Sequence, residues 1–157
     1  MATLEEVKVY EPHEIDLDAF DQSFVSCLIL TASGKLALQY RDPNFHTHSD
    51  RVCAFGGKME EEESPDEAVV RELHEELGVK PDLAQLRYLE TLSEAITQHK
   101  ELIYTFFWHD TSKQSYKCTE GEIIMFDSAE AALKDKRLMP DTRWLIAACK
   151  DLAWLPK

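Results

Sequence analysis

The sequence predicts an α/β fold in which helices pack on a mixed β-sheet, and three observations lead to this class. Several short apolar runs rich in β-branched residues have the length of strands. A central segment carries the start and stop signals of a helix, and an amphipathic segment ends the sequence. A chain of 157 residues is long enough for one domain with a real core. We therefore expect a single domain over residues 1–157, with strands and helices interleaved.

The first predicted strands differ in their apolar pattern. Residues 23–32, SFVSCLILTA, are almost all apolar, which is expected of a strand buried on both faces. Residues 35–41, KLALQYR, follow a Ser33-Gly34 turn signal and alternate apolar with polar positions. Further strands are predicted at residues 51–55, 86–92, 101–109 and 122–126.

The central helix is predicted between Ser64 and Gly78. Ser64 and Glu67 form a capping box, Pro65 occupies the first helical position, and Gly78 ends the helix. A second helix is predicted over residues 141–155, DTRWLIAACKDLAWL. Its apolar stripe is expected to contain Trp144 or Leu145, Ala148 and Leu152.

The central helix has an apolar and an acidic arc. At about 100° per residue, the arc expected to pack on the sheet contains Val69, Val70, Leu73 and Leu77. Glu72, Glu75 and Glu76 converge on another arc, where like charges repel. An acidic run is often only a solvated face, but clustered carboxylates also bind Mg²⁺, which prefers oxygen ligands.

Composition excludes several classes of partner. The formal net charge is −13, with 30 acidic and 17 basic residues, so a long nucleic acid is not expected as a partner. A small phosphate compound is compatible with this charge if cations bridge it to the carboxylates. We expect no membrane association, because no apolar run reaches the roughly 20 residues that span a bilayer. The N-terminus lacks the features of a secretory signal, and the four cysteines lie far apart without a CxxC pair, which favours a reduced cytoplasmic protein.

The spacing of residues 57–79 is more specific than an acidic helix. The fixed positions are Gly57, Glu63, Arg71-Glu72-Leu73, Glu75-Glu76 and Gly78-Val79. This pattern resembles the Nudix box, G-x5-E-x7-R-E-U-x-E-E-x-G-U with U an aliphatic residue, at every fixed position. The resemblance implies a Nudix-type α/β/α sandwich. One departure is Glu61-Glu62, where the family often has Pro-Gly, and the conformation of that loop is therefore open.

The resemblance to the Nudix family implies a metal-dependent reaction. A pyrophosphate bond in a nucleoside diphosphate linked to a group X is hydrolysed with Mg²⁺ (or Mn²⁺). Glu75 and Glu76 are the expected primary metal ligands and catalytic residues, while Glu72 and Glu63 support them as ligands or as partners of the ligands. The carbonyl oxygen of Gly57 is a further expected ligand.

Two other residues inside the motif have alternative interpretations. Arg71 resembles the family arginine that orients a catalytic glutamate, although it could form only an ordinary helix salt bridge. His74 falls on neither arc and is expected to face solvent.

Residues outside the motif are predicted from weaker similarities. The segment CTEGEIIMF resembles a loop that supplies another acid as a metal ligand or general base, with Glu122 preferred and Glu120 next, unless both simply face solvent. His46 and His48 are expected at the surface or beside the substrate, not as a metal pair.

Substrate-binding residues are predicted from two further segments. AFGGK, which contains Gly56 and Lys58, and LMPDTRW are similar to segments of the branch that hydrolyses purine nucleoside triphosphates. There Asp141 would contact the base. An alternative is that Asp141 caps the final helix.

Three functions remain open from the sequence. A nucleoside triphosphate such as an oxidised purine deoxynucleotide is the preferred substrate, and ADP-ribose or a nucleotide sugar is the alternative. A nucleotide sensor without activity is a third possibility, but such a protein is expected to have a degraded motif. The chain could be a monomer or a homodimer.

Overall fold

The computed structural model describes residues 6–45 and 47–156. The described residues form eight strands: β1 (Val7–Tyr10), β2 (Gln22–Leu30), β3 (Leu36–Arg41), β4 (Arg51–Cys53), β5 (Phe55–Lys58), β6 (Leu86–Glu94), β7 (Glu101–His109) and β8 (Glu122–Phe126). The α-helices are α1 (Pro65–Leu77), α2 (Ala129–Leu133) and α3 (Pro140–Asp151). The predicted α/β class and mixed sheet are confirmed.

All the strands belong to one mixed sheet. Its main path runs β1-β6-β7-β2-β3-β4, with β5 also paired to β2 and β8 to β3. The β2–β7 pair is parallel, and the other pairs are antiparallel. Strand β2 pairs with β5 over Phe24–Cys27 and with β3 over Ile29–Leu30, so the sheet divides along this strand.

Both faces of β2 are buried, as its apolar composition predicts. Val25, Cys27 and Ile29 point to the cluster that contains the apolar side of α1. Leu28 and Leu30 point to the opposite cluster, which contains the buried side of α3. The two helices therefore cover opposite faces of the sheet, and the alternation of side chains along β2 fixes which face each helix covers.

The predicted signals of α1 are confirmed at both ends. The Ser64 hydroxyl accepts a hydrogen bond from the Glu67 N–H at 3.2 Å, and the Glu67 carboxylate accepts one from the Ser64 N–H at 3.0 Å. Gly78 has a φ of 70°, a left-handed conformation that glycine adopts without steric cost. Val70, expected in the core, is only partly buried and lies in a side cleft with Pro81 and Leu83.

The final helix is shorter than predicted. It ends at Asp151, and Leu152 is 52% exposed, so Leu152 is not part of the apolar stripe. The fully buried side of α3 is formed by Leu145, Ile146 and Cys149. Ala148, also expected in the stripe, is only partly buried.

Three other elements differ from the prediction. The predicted strand over residues 51–55 is divided at Ala54, whose N–H donates to the Thr142 hydroxyl at 2.9 Å and not to a neighbouring strand. Strand β1 and helix α2 were not predicted, because they are four and five residues long and carry no clear periodicity. Among the described residues, no helix has both the length and the apolar character needed to cross a membrane.

Candidate active site

A cavity of about 540 Å³ lies where the sheet divides, between the carboxylate side of α1 and the start of α3. Among the described residues, seven acids line it: Glu72, Glu75, Glu76, Glu94, Glu101, Glu120 and Asp141. Arg41 and Lys58 supply positive charge. A larger concavity of about 860 Å³ near Asp110 and Tyr116 contains none of the predicted site residues. The chemistry therefore belongs to the smaller cavity.

Arg71 connects α1 to the loop before it. Its guanidinium donates to both carboxylate oxygens of Glu63 at 2.7 and 2.9 Å, and to the carbonyl oxygen of Lys58 at 3.0 Å. The ion pair lowers the pKa of Glu63, chiefly because the guanidinium hydrogen bonds favour the carboxylate. Such a two-pronged pair has a fixed geometry. The structure therefore places Glu63 as the partner of Arg71 and orders the acidic loop at the N-terminus of α1.

The same guanidinium also contacts the next acids of the motif. Arg71 Nη1 donates to Glu72 at 3.0 Å and to Glu75 at 3.2 Å. Glu72 is partly buried, and burial raises its pKa more than Arg71 lowers it. Glu75 is exposed at the cavity surface. Arg71 thus does more than form one helix salt bridge, since four carboxylates share its charge, the fourth being Glu60 at 3.7 Å.

Glu76 is the most buried carboxylate of the motif, with only 7% of its surface exposed. It accepts a hydrogen bond from the Gly56 N–H at 3.3 Å. Loss of hydration, reinforced by the neighbouring charge of Glu72, raises the pKa of Glu76 to about 8. This buried acid needs a compensating charge to remain ionised at neutral pH.

The two glycines of β5 allow the backbone to approach the site closely. A Cβ atom on Gly56 would lie 1.9 Å from the carbonyl oxygen of Val25. A Cβ atom on Gly57 would lie 2.6 Å from the carboxylate of Glu72. Gly56 is therefore required by sheet pairing, whereas Gly57 leaves room for a carboxylate of α1.

The donor atoms fit a divalent cation chemically, because carboxylates and a main-chain carbonyl are the oxygen ligands that Mg²⁺ and Mn²⁺ accept. Among the described residues, however, no three acidic, histidine or cysteine side chains converge on one point. Arg71 Nη1 draws Glu72 and Glu75 toward itself. Ion binding thus requires at least Glu75, the exposed member, to turn away from the guanidinium.

The loop before β8 brings Glu120, not Glu122, to the cavity. The N–H groups of Lys117 and Thr119 donate to the carbonyl oxygens of Leu77 and Glu76 at 2.9 and 3.0 Å, so this loop is fixed on the C-terminal end of α1. Glu120 lines the cavity and adds repulsion that raises the pKa of Glu76.

Glu122 lies on the other face of the sheet. Ile124, two residues further along β8, packs in the cluster of α3, and side chains two apart in a strand share a face. Of the two candidates, the structure therefore brings Glu120 and not Glu122 to the cavity, and the role of the additional acid stays a prediction.

The predicted histidines are not brought together as a metal pair. His46 lies outside the described residues. His48 lines the cavity, and partial burial lowers its pKa. His74 is exposed, as predicted.

Lys58 and Arg41 supply the positive side of the cavity. Lys58, predicted to bind substrate, is exposed at its rim. Arg41 was not predicted. Its guanidinium donates to the Thr47 carbonyl oxygen at 2.9 Å and stacks 3.9 Å from the Phe45 ring centroid. These contacts hold the loop after β3 over the cavity, and the polar sequence of that loop carries no signal for them.

Asp141 reaches the cavity from the first turn of α3. It is 8% exposed, and the N-cap residue of α3 is Met139, so the alternative in which Asp141 is the helix cap is wrong. Its N–H donates to the carboxylate of Glu94 at 2.7 Å. Glu94 was not predicted as a site residue, because no local pattern at the end of β6 distinguishes it.

This arrangement, with buried glutamates beside a glycine strand and a loop held by Arg71, agrees with the metal-dependent pyrophosphohydrolase that the motif of residues 57–79 predicts. The family model for the NUDIX domain matches residues 21–148, and the chain belongs to the Nudix family. It is a Nudix pyrophosphohydrolase that acts on nucleoside diphosphate derivatives, and the family uses divalent metal ions.

Solved structures support the same fold. The ORF135 protein of E. coli is 26% identical, with a TM-score of 0.65 over 88% of this chain and 95% of that protein. The MutT protein of Methanosarcina mazei is 24% identical, with a TM-score of 0.65 over 88% and 99% of the two chains. The bifunctional NMN adenylyltransferase/ADP ribose pyrophosphatase of Francisella tularensis, complexed with AMP and a Mn ion, is 14% identical, with a TM-score of 0.64 over 83% of this chain and 41% of that protein. No curated protein matches the sequence.

Proposed function

We propose that the protein hydrolyses a nucleoside triphosphate, with an oxidised purine deoxynucleotide as the leading candidate, in a reaction that requires Mg²⁺ or Mn²⁺. The observation that carries this proposal is the composition of one cavity. Carboxylates of α1 line one part of it, and Asp141 with the apolar side chains of Phe24, Ile103 and Met139 lines another. A polyphosphate chain and a flat base need these two environments in one site.

Glu72, Glu75 and Glu76, together with the carbonyl oxygen of Gly57, are the proposed metal ligands, and Glu120 is the proposed additional acid. Glu63 acts through Arg71, because both of its carboxylate oxygens are hydrogen bonded to that guanidinium. A bound divalent ion would neutralise charge on the pyrophosphate and lower the pKa of the attacking water.

The side chains of this protein perform the remaining tasks. Arg71 holds Glu63 by two hydrogen bonds and Glu72 by one, which limits where these two carboxylates can point. Lys58 and Arg41 attract the anionic substrate to an otherwise acidic cavity. Phosphoryl transfer leaves the protein mainly this positioning and electrostatic work.

Activity should vanish in EDTA and return when Mg²⁺ or Mn²⁺ is added in excess. We would measure kcat/KM for dGTP, 8-oxo-dGTP, dATP, dCTP and ADP-ribose, with phosphate and pyrophosphate release followed separately. Full turnover in EDTA would overturn the metal mechanism. A clear preference for ADP-ribose would overturn the triphosphate assignment, and no turnover of any nucleotide would favour a sensor.

A further inference from the structure

Two carboxyl groups meet inside the cavity without belonging to the Nudix motif. Glu94 is the last residue of β6 and is 3% exposed, and Asp141 lies 47 positions later in the first turn of α3. The Asp141 N–H donates to Glu94 Oε2 at 2.7 Å, which places the two carboxyl groups side by side in the same cavity. Ser26, on β2, lines the same cavity.

The surroundings prevent both groups from being ionised together. Neither Glu94 nor Asp141 forms a salt bridge within the part of the chain that the structure describes. Burial raises the pKa of each carboxyl group, and the charge of Asp141 raises that of Glu94 further. Two adjacent carboxylates without a cation retain a proton between them, since like charges this close repel strongly.

The titratable side chains around Glu94 and Asp141 also favour retention of this proton. Glu101, from β7, faces Glu94 and adds negative charge. Cys53, from β4, and His48, from the loop before it, face Asp141. The pKa of Cys53 is raised to about 12 by burial, so its thiol stays neutral. The pKa of His48 is lowered, so this imidazole does not supply a fixed positive charge at neutral pH.

A carboxyl pair with one proton presents a hydrogen-bond donor beside an acceptor. Glu94 is the more deeply buried of the two residues, at 3% against 8% exposure, and burial disfavours the charged form. Glu94 then holds the proton. The adjoining cavity wall is apolar, with Ile103 and Met139 at 6% and 5% exposure. A small polar pair beside an apolar wall is suited to the edge and face of a nucleobase.

We propose that Glu94 and Asp141 share one proton and bind the edge of the substrate's base, Glu94 donating to a ring nitrogen or carbonyl oxygen and Asp141 accepting from the adjacent N–H. This rests on the proposed nucleotide substrate and makes Glu94 a specificity-determining residue. The base must then carry an acceptor and a donor side by side. A base that lacks either one leaves a buried carboxyl oxygen or proton without a partner, which costs affinity.

The shared proton is tested first in the unaltered protein. With ¹³C-labelled carboxyl groups and EDTA present, NMR titration should show one of the two groups remaining protonated well above its ordinary range. Independent titration of both groups near pH 4 would overturn the shared proton. This measurement needs neither substrate nor catalysis.

Base binding is tested by calorimetry with AMP, GMP, CMP and UMP in EDTA at pH 7, where the catalytic ions are absent. For the nucleotide that binds most tightly, Glu94→Ala should weaken binding by about 10-fold or more, the scale of an unpaired buried polar group. Glu94→Gln retains an amide donor and should stay within about threefold of the wild type. Glu90→Gln, on the same strand but outside the cavity, is the matched control.

A companion probe is the 5′-monophosphate of purine riboside, which has the shape of AMP but no exocyclic N–H. If AMP binds, this analogue should bind about 10-fold more weakly to the wild type and equally weakly to Glu94→Ala. Unchanged binding of all four nucleotides by Glu94→Ala, or no binding of any by the wild type, would overturn the proposal. Failure of the metal chemistry alone would leave this binding intact, so the two failures are distinguishable.

Discussion

Glu76 is the residue at which burial and charge oppose each other most directly in the motif. Only 7% of the residue is exposed, yet the negative charge of Glu72 acts on it. A hydrogen bond from the Gly56 N–H offsets only part of this cost. A bound cation would offset the rest, which explains why a strongly acidic protein can hold a polyphosphate.

Replacing Glu76 with Gln keeps the size of the side chain and an acceptor for Gly56, but removes the charge. We expect kcat to fall by about 10²–10⁴-fold in saturating Mg²⁺, the scale of one missing catalytic group. Glu61→Gln, in the exposed part of the acidic run, should remain within a few-fold of the wild type. Equal effects of the two substitutions would contradict the assignment of the motif.

Alanine substitutions at the adjacent glycines of β5 should differ in their effects on stability and activity. Alanine at Gly56 would place Cβ 1.9 Å from a backbone oxygen, so the strand must move, and we expect a loss of about 2 kcal/mol or more in unfolding free energy. Alanine at Gly57 meets the flexible Glu72 carboxylate instead. That variant should unfold near the wild-type temperature but lose about 10-fold or more in kcat/KM. Thermal unfolding and kinetics on both variants check this contrast, and the reverse order would refute it.

At the scale of elements, α1 combines two functions that can be separated. Ser64 caps the helix, whereas Arg71 holds the preceding loop through Glu63. Ser64→Ala should cost about 1 kcal/mol of unfolding free energy and leave kcat/KM within a few-fold. Arg71→Lys retains a charge but loses the two-pronged contact, and should lower kcat/KM by about 10-fold or more. Denaturant unfolding and kinetics measure both, and an equal loss of activity in the two variants would contradict the separation.

The elements that the sequence predicts well are those with local signals. The start and end of α1 depend on Ser64, Glu67 and Gly78, which interact within the helix itself, so their pattern is visible in the sequence. Strand β1 forms only because β6 pairs with it. The division of residues 51–55 depends on Thr142, which is distant in sequence. Such tertiary contacts leave no periodic signal.

The same contrast between local signals and tertiary contacts applies to the candidate site. The motif identified Arg71 and the carboxylates of α1, because their spacing lies within one element. The choice between Glu120 and Glu122 could not be made from the sequence, since it depends on hydrogen bonds from Thr119 to the end of α1. Glu94 could not be associated with Asp141, because only the packing of α3 against the sheet brings them together.

At the scale of the whole molecule, part of the excess negative charge, which totals −13, is concentrated in one cavity. Helices on opposite faces of the sheet each contribute acids to one cavity, α1 from one face and α3 from the other. The division of the sheet beside β2 is what allows them to meet. On the two proposals made above, a cation neutralises the carboxylates of the metal-binding region, whereas a retained proton neutralises the Glu94–Asp141 pair.

The proton of the Glu94–Asp141 pair should also make stability depend on pH. The folded protein retains this proton above the ordinary carboxyl pKa of about 4, while the unfolded chain releases it. Between that value and the raised pKa in the fold, the folded state binds more protons than the unfolded state. The free energy of unfolding contributed by the pair must therefore fall as pH rises through this interval.

Glu94→Gln has no proton to release at this position, so its unfolding free energy should fall less steeply from pH 5 to pH 9 than that of the wild type. The difference between the two proteins should change by at least ~1.4 kcal/mol over this range, the equivalent of one pKa unit. Urea unfolding in EDTA at several pH values provides the measurement, and Glu90→Gln should retain the wild-type slope. Other buried acids such as Glu76 act in the same direction in all three proteins, so they cancel in the comparison. Parallel curves for Glu94→Gln and the wild type would mean that the fold holds no extra proton at this pair, and the base edge would then meet two acceptors and no donor.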